Sequence, residues 1–388
     1  MARGMLKRYL SICLVAVMLL TTLLPVRVFA ADEAGFDDAN TNYEDPADTE
    51  PEEPSFTLDE PEPEAEPESD DTADEPVLPE VSDYASFLSC FKVLEGYANA
   101  YAAENGENAN ALIINYIRTG VERYTSGTWE MVCGKENTAF TAYVSEQDAA
   151  NGTSASALKR IQNFTLPNGD PADLGHVFGA MDVANYAKVQ GMTDAVVLAR
   201  ADMGSWAGDI TDLMYCAENV DIADKVDTAE TDVDILADNL RARYLGVDYG
   251  TLNHVDHSFT DTDLYGDMDA FYLTTEMNHS GMALSTIVDN YFTAGLNDVG
   301  RASYFLTNRL GGVVTKDGIR SRVLSIYTGN ALIGALESSY SLTDLSNYET
   351  LRKACCYAFA DYLFDLAGNP DGTDPVDPDP DPDPEPDP

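Results

Sequence analysis

The chain has 388 residues, with 68 Asp and Glu against 22 Lys and Arg and a formal net charge of −46 at pH 7. A surface this acidic repels polyanions, which argues against nucleic acid as a partner and leaves cationic ligands or bound Ca²⁺ as the easier alternatives. The length is ample for at least one domain with a hydrophobic core of its own.

The first thirty residues have the pattern of a secretory signal. Basic residues at the start precede an apolar run over 10–24, and residues 28–30 place small side chains at the cleavage positions. The apolar run is about 15 residues, whereas a membrane-spanning helix needs about 20. We therefore expect residues 1–30 to be removed, and the mature chain to be secreted or attached to the cell surface without a membrane span.

Two acidic, proline-rich segments flank the middle of the chain. Residues 31–81 contain 21 acidic residues and no Lys or Arg, and residues 370–388 are close to an Asp-Pro repeat. Self-repulsion and scarce apolar surface predict a disordered spacer and a disordered tail. The domain between them, residues 82–369, has 39 acidic and 18 basic residues and so keeps a formal charge of −21.

The domain over 82–369 is predicted to be mainly α-helical, because apolar residues recur at helical spacing between turn signals such as Asn-Gly. One helix is expected to run from a cap at Asp170 or Asp173 to residue 189. The other predicted helices cover 84–103, 109–124, 136–149, 154–162, 206–218, 228–245, 263–279, 282–293, 298–309, 320–337 and 348–366. Short strands near 128–132 and 312–315 would make the fold α+β. A single large α-rich domain fits best.

The cysteines after the signal do not have the spacing of a disulfide framework. They are odd in number and irregularly placed, at Cys90, Cys133, Cys216, Cys355 and Cys356. Most lie in apolar helical patterns, where cysteine behaves as a small buried hydrophobe. Cys133 precedes a predicted helix and could, with His176 and an aspartate, form the nucleophile of a cysteine peptidase.

The first candidate site is a short segment rich in ionisable side chains, with Asp173, His176, Asp182, Asp202, Trp206 and Asp209. Asp173 and His176 are three residues apart on a predicted helix and share a face. We interpret Asp173 and Trp206 as substrate-binding residues and the other four as catalytic. The alternative is structural: Asp173 and Ser205 cap helices, while Gly204 and Gly208 serve packing.

The second candidate site is a stripe along one predicted helix. Asp269, Tyr272, Glu276 and His279 are spaced so that all four lie on one face. Glu276 would donate a proton as glycan hydrolysis requires, with Tyr272 and His279 binding substrate. The alternative is a solvated face carrying a Glu–His pair.

The third candidate is a metal site. Four aspartates fall at positions 1, 3, 7 and 9 of a calcium-loop frame: Asp261, Asp263, Asp267 and Asp269. Tyrosines occupy two further positions where ligands are needed, so only a non-standard Ca²⁺ site is indicated. Just upstream, His254 and His257 could hold a transition metal.

Together these patterns favour a secreted hydrolase acting on peptidoglycan or another cell-wall polymer by carboxylate and histidine acid–base chemistry. Glu276 would be the proton donor, and one of Asp182, Asp202 and Asp209 would orient or deprotonate water. We expect Glu276 to converge with His176 and these aspartates in one cleft. The competing hypothesis is a non-catalytic surface module that binds Ca²⁺ or a cell-surface ligand.

Overall fold

The computed structural model describes residues 83–120, 130, 132–160, 163–167, 171–219, 225–247, 259–293 and 298–368. The predicted signal, the acidic spacer and the Asp-Pro tail lie outside these ranges, as do His254 and His257. The described part is 77% helical with almost no strand, which confirms the mainly α fold class. None of the helices in this part is long and apolar enough to cross a membrane.

The α-helices, in chain order, are α1 Tyr84–Asn105, α2 Ala109–Arg118, α3 Thr138–Asn151, α4 Leu174–Val189, α5 Asp194–Met203, α6 Trp206–Asn219, α7 Val233–Tyr244, α8 Asp261–His279, α9 Leu284–Thr293, α10 Asp298–Asn308, α11 Lys316–Gly329, α12 Ala331–Ser339 and α13 Tyr348–Leu366. Two 3₁₀ helices cover Ala155–Arg160 and Leu342–Asp344. Strands β1 Asn163–Thr165 and β2 Pro171–Asp173 pair antiparallel. The strand predicted at 312–315 is wrong.

Helix ends follow local capping chemistry, which is why the sequence locates many of them. Asp83 caps α1 by accepting from the Ser86 amide at 2.7 Å, and Gly106 ends the helix with a left-handed φ of 71°. Asp173 caps α4 by accepting from the His176 amide at 2.9 Å. The predicted cap at Asp173 is therefore confirmed, and it fixes His176 in the first turn of α4.

Two helix assignments differ from the sequence prediction. Helix α5 was not predicted, and the single helix predicted over 320–337 is two helices broken at Asn330. The Asn330 side chain accepts from the Leu332 amide at 3.0 Å and donates to the Ala199 carbonyl of α5 at 2.9 Å. A capping side chain with a tertiary partner thus competes successfully with continuation of the helix.

Helix α8 contributes to both hydrophobic cores of the described chain. Leu264 and Met268 pack in one core with residues of α6, α7, α10, α11 and α13. Ala270 and Leu273 pack in the other with residues of α1, α2, α4 and α9. Full burial of a large apolar side chain contributes about 1.5–3 kcal/mol, so both cores hold α8 firmly. Because α8 is buried on most sides over 263–270, any charged side chain there needs a partner inside the protein.

Candidate functional site

Most buried aspartates of the described chain have an obvious structural partner. Four accept hydrogen bonds from an arginine Nε, in the pairs Asp182–Arg118 at 2.6 Å, Asp202–Arg309 at 2.7 Å, Asp269–Arg301 at 2.8 Å and Asp361–Arg320 at 2.7 Å. Asp148 and Asp173 instead accept backbone amides near helix ends. The fold therefore satisfies these six buried carboxylates with fixed donors, as buried charge requires.

Three buried aspartates remain, and they surround one histidine. Asp209, Asp263 and Asp267 have no arginine or lysine partner among the described residues, and His176 is the cationic side chain that faces them. His176 Nε2 lies 2.8 Å from Asp267 Oδ1, and Nδ1 lies 3.5 Å from Asp263 Oδ1. One ligand atom each from His176, Asp209 and Asp267 lies within 4.8 Å of the other two. We call these four residues the His176 cluster.

Glycine at position 266 lets α4 and α8 approach closely enough to form this cluster. A Cβ added to Gly266 would lie 2.8 Å from His176 Cδ2, closer than carbon atoms normally approach. Asp263 and Asp267, four residues apart, lie one turn from each other on the same face of α8. The imidazole of His176 therefore lies against the α8 backbone between two carboxylates.

Asp209 enters from the first turn of α6, whose N-terminus packs tightly on α5. A Cβ on Gly208 would lie 2.3 Å from the Met203 carbonyl oxygen, and one on Gly204 would lie 2.8 Å from a methyl of Val183. These glycines serve internal packing, which confirms the structural alternative for them. Their role is to place Asp209, the fourth residue of α6, where its carboxylate meets the cluster.

Two carboxylate oxygens in the cluster have no hydrogen-bond partner in the described part of the chain. They are Asp209 Oδ2 and Asp267 Oδ2, both completely buried. The two carboxylates are close enough for a proton on Asp209 to be shared with Asp267. Leaving a buried acceptor unsatisfied costs about 1–3 kcal/mol, and more for a charged group. A bound proton or cation would remove that penalty.

The electrostatics of the cluster follow from burial and from an excess of negative groups. Burial alone lowers the pKa of His176, but the hydrogen bond and charge of Asp267, with the charge of Asp263, raise it to about 9. Burial, reinforced by the charges of Asp267 and Asp263, raises the pKa of Asp209 well above its usual range. Burial also raises the pKa of Asp267 and of Asp263, against the opposing effect of His176. The cluster therefore favours uptake of positive charge.

Solvent has slight access to the cluster. The side chains of His176 and Asp263 are 13% and 11% exposed, whereas that of Asp267 is 2% exposed. A substrate or ion arriving from solvent would therefore meet His176 and Asp263 first, with Asp267 behind them. A cavity of about 560 Å³ between α7 and α13 is lined by Arg241, Tyr362 and Asp365 among others, and includes none of the cluster residues.

Glu276 does not belong to the cluster. It lies nine residues beyond Asp267 on α8, about 13 Å along the helix axis. Its carboxylate accepts from the hydroxyl of Tyr304 at 3.2 Å. The structure brings His176 and Asp209 together as predicted. It does not bring Glu276 to them, because Glu276 lies several turns of α8 away from the residues that contact His176.

The remaining residues of the predicted α8 stripe have separate surroundings. Asp269 is buried and bound to Arg301. The ring of Tyr272 packs against Tyr304, with centroids 4.4 Å apart. His279 is exposed at the end of α8, with its Nδ1 2.8 Å from the carbonyl oxygen of Thr275. The predicted stripe is thus a series of local contacts and not one site.

The calcium-loop frame predicted over 261–269 is wrong, because these residues are the first turns of α8 and not a loop. A calcium loop wraps its ligands around the ion, which a helix cannot do. Two of the proposed ligands, Asp263 and Asp267, belong to the His176 cluster, while Asp269 is bound to Arg301. The side chain of Asp261 lies outside the described residues.

Asp182, Asp202 and Trp206 have structural roles. Arg118 and Arg309 bind the two carboxylates, which removes them from the predicted catalytic set. Trp206 is 2% exposed, so its ring is not available to a substrate. The ring stacks on Phe359 at 5.5 Å, and its Nε1 donates to Asp202 at 2.9 Å.

Cys133 lacks the features of a catalytic thiol. It is buried, and burial together with the charge of Asp182 raises the pKa of its thiol well above the usual range. A nucleophilic cysteine needs the opposite shift. The cysteine-peptidase alternative is therefore not supported. Cys133, Cys216, Cys355 and Cys356 are buried, whereas Cys90 is half-buried.

Comparison with known proteins adds little to this geometry. Residues 181–370, just under half of the chain, match a family described as YkzU uncharacterised protein. This match includes Asp209, Asp263 and Asp267 and begins after His176. No curated protein and no solved structure matches the chain.

Proposed function

We propose that this chain is an exported hydrolase of a cell-wall polymer such as peptidoglycan, and that the His176 cluster is its reacting centre. One observation supports the site above all. Among the described residues, four buried aspartates are paired with arginine, while the three around His176 are not. Proteins retain locally unfavourable arrangements mainly at functional sites. The contrast therefore favours a functional role for the His176 cluster over a purely structural one.

Asp263 is the residue we assign as general base. Its Oδ2 accepts from the Thr260 hydroxyl at 2.6 Å, which fixes the carboxylate, and its side chain is 11% exposed. In the proposed step Asp263 takes a proton from water as the water oxygen bonds to the electrophilic carbon. The bond to the leaving oxygen or nitrogen breaks, and that atom receives the proton from Asp263.

His176 and the two deeper carboxylates position and polarise the water. Asp267 holds the imidazole through the 2.8 Å contact to Nε2, and the Gly266 backbone packs against the ring. Preorganised groups of this kind act without reorganising during the reaction. The extracellular cell-wall substrate is an expectation from the signal-like segment and acidic spacer of the sequence.

The test is release of soluble fragments from purified peptidoglycan by the full mature chain. Asp263→Asn should lower the rate by about 10²-fold or more, the usual effect of losing a general base. Glu276→Gln is the matched control, a carboxylate on the same helix outside the cluster, and should keep the wild-type rate within about threefold. Equal rates for wild type and Asp263→Asn, or no release by wild type, would overturn the proposal.

A second candidate function is a non-catalytic surface module that binds a cation. The buried Oδ2 atoms of Asp209 and Asp267 favour it, because no other group in the described part of the chain donates to them and a cation would satisfy both. It predicts cation binding without any release of cell-wall fragments, so the same assay separates the two functions.

A further inference from the structure

We propose that the His176 cluster binds one divalent transition-metal cation through His176 Nε2 and one carboxylate oxygen each of Asp209 and Asp267. This inference rests on the proposed function, since it names what the same site holds, but it is tested by binding alone. One ligand atom of each residue already lies within 4.8 Å of the other two. Nitrogen and oxygen ligands about 2.0–2.2 Å from an ion are at most about 4.4 Å apart, so small side-chain movements would complete the site.

Orphaned oxygens deep in the protein provide the independent support. Asp267 is 2% exposed and Asp209 is 8% exposed, and each has a completely buried Oδ2 that accepts from no other side chain or amide in the described part of the chain, apart from a proton that the two carboxylates can share. Elsewhere an arginine neutralises the buried carboxylate, as Arg309 neutralises Asp202. At the cluster no such side chain is present among the described residues, and a divalent cation supplies the same charge compensation in a smaller volume.

The ion would lie between His176 and Asp267, whose side chains contact each other directly in this structure. His176 Nε2 faces Asp267 Oδ1 at 2.8 Å, a separation that one proton bridges. An ion bound to Nε2 would replace that proton and contact Asp267 and Asp209 together. The proton of the imidazole would then be on Nδ1, which faces Asp263 Oδ1 at 3.5 Å. A carboxylate behind a metal-bound histidine is the usual way to fix the ring and its tautomer.

The donor set selects the class of metal. Ca²⁺ and Mg²⁺ favour sites made of oxygen atoms, whereas an imidazole nitrogen with two carboxylates suits Mn²⁺, Fe²⁺, Co²⁺ or Zn²⁺. Only three protein ligands converge among the described residues, so water can complete the coordination and be polarised by the ion. The Ca²⁺ expected from the sequence is thus replaced by a transition metal at overlapping residues.

The test is titration calorimetry of the full mature chain, freed of metal with a chelator, using MnCl₂, ZnCl₂ and CaCl₂ separately. One Mn²⁺ or Zn²⁺ should bind per chain, with Ca²⁺ at least about tenfold weaker. Asp209→Asn and Asp267→Asn should each weaken Mn²⁺ binding by at least about tenfold, with circular dichroism confirming the fold. Glu276→Gln is the control and should keep the wild-type affinity.

The outcomes separate this inference from the proposed function. Absence of Mn²⁺ and Zn²⁺ binding by wild type, or binding unchanged in both aspartate variants, would overturn the metal site. Hydrolysis of peptidoglycan that persists in chelator would then leave the proposed function standing. Binding that depends on Asp209 and Asp267 without any fragment release would keep the metal site and overturn the hydrolase.

Discussion

Replacing Asp209 with asparagine should make the metal-free protein more stable, which is unusual for a buried polar residue. Burial and the neighbouring carboxylates raise the pKa of Asp209 well above 3.8, so the folded state favours the neutral acid. Asparagine has nearly the same shape and needs no proton. The substitution therefore removes an electrostatic penalty while leaving the packing of α6 intact.

The gain in the free energy of unfolding cannot exceed the cost of protonating Asp209 in the unfolded chain. Protonating an ordinary aspartate at pH 7 costs about 4 kcal/mol, because each pH unit above its pKa of 3.8 costs about 1.4 kcal/mol. We expect Asp209→Asn to gain about 1–4 kcal/mol. A raised folded-state pKa contributes stability below pH 3.8 that is lost as pH rises, so the advantage of the variant should appear above about pH 4 and grow.

Asp202→Asn is the matched control and should have the opposite sign. Asp202 is also buried, at 3% exposed, but Arg309 and Trp206 bind its carboxylate. Removing one partner of a buried ion pair costs about 3–5 kcal/mol. Urea unfolding in chelator at pH 7 measures both variants, and a 3 kcal/mol change moves the midpoint by roughly 1 M. Destabilisation of both variants to a similar extent would refute the distinction between cluster and structural aspartates.

Three further predictions concern single positions. Gly266→Ala should destabilise the fold by about 1–3 kcal/mol because its Cβ would meet His176, whereas Gly334→Ala, with open space around it, should gain up to about 1 kcal/mol in the same urea assay. Cys133 should react with a thiol reagent only as fast as the native protein unfolds, and fast labelling would contradict its burial. Although burial opposes it, hydrogen bonds from Thr153 and backbone amides lower the pKa of Asp148, so Asp148→Ala should lose about 1.5–3 kcal/mol at pH 7. That deficit should shrink as pH falls below about 4, and a deficit independent of pH would refute the role of the charge.

The sequence predicts local features of this fold well because their causes are local. The cap at Asp173 and the glycine stop at Gly106 each depend on a few adjacent residues, and the structure confirms both. The sequence does not predict a helix break that depends on a residue far away in the chain. The break at Asn330 is supported by a contact to Ala199, which is 131 residues away in the chain.

The candidate site was predicted only in part, for the same physical reason. The sequence groups His176 and Asp209 with Asp182, Asp202 and Glu276 as catalytic candidates. It indicates Asp263 and Asp267 separately, as calcium ligands with Asp261 and Asp269. In the described part of the chain, Asp202 has an arginine partner, whereas Asp209, Asp263 and Asp267 have none. That arginine, Arg309, is 107 residues away, so no local pattern shows which carboxylate it neutralises. In the sequence, the best indication of this site is the occurrence of Asp263, Gly266 and Asp267 together on one helix that is otherwise apolar enough to be buried.

The most direct test of the central claim is the rate at which Asp209→Asn releases soluble fragments from purified peptidoglycan, measured beside wild type at equal concentration. The claim is that the His176 cluster is kept for chemistry at the expense of stability. The variant should therefore be the more stable protein in chelator, and yet it should release fragments about 10²-fold or more slower than wild type. A variant that is more stable and still hydrolyses peptidoglycan at the wild-type rate would contradict the claim.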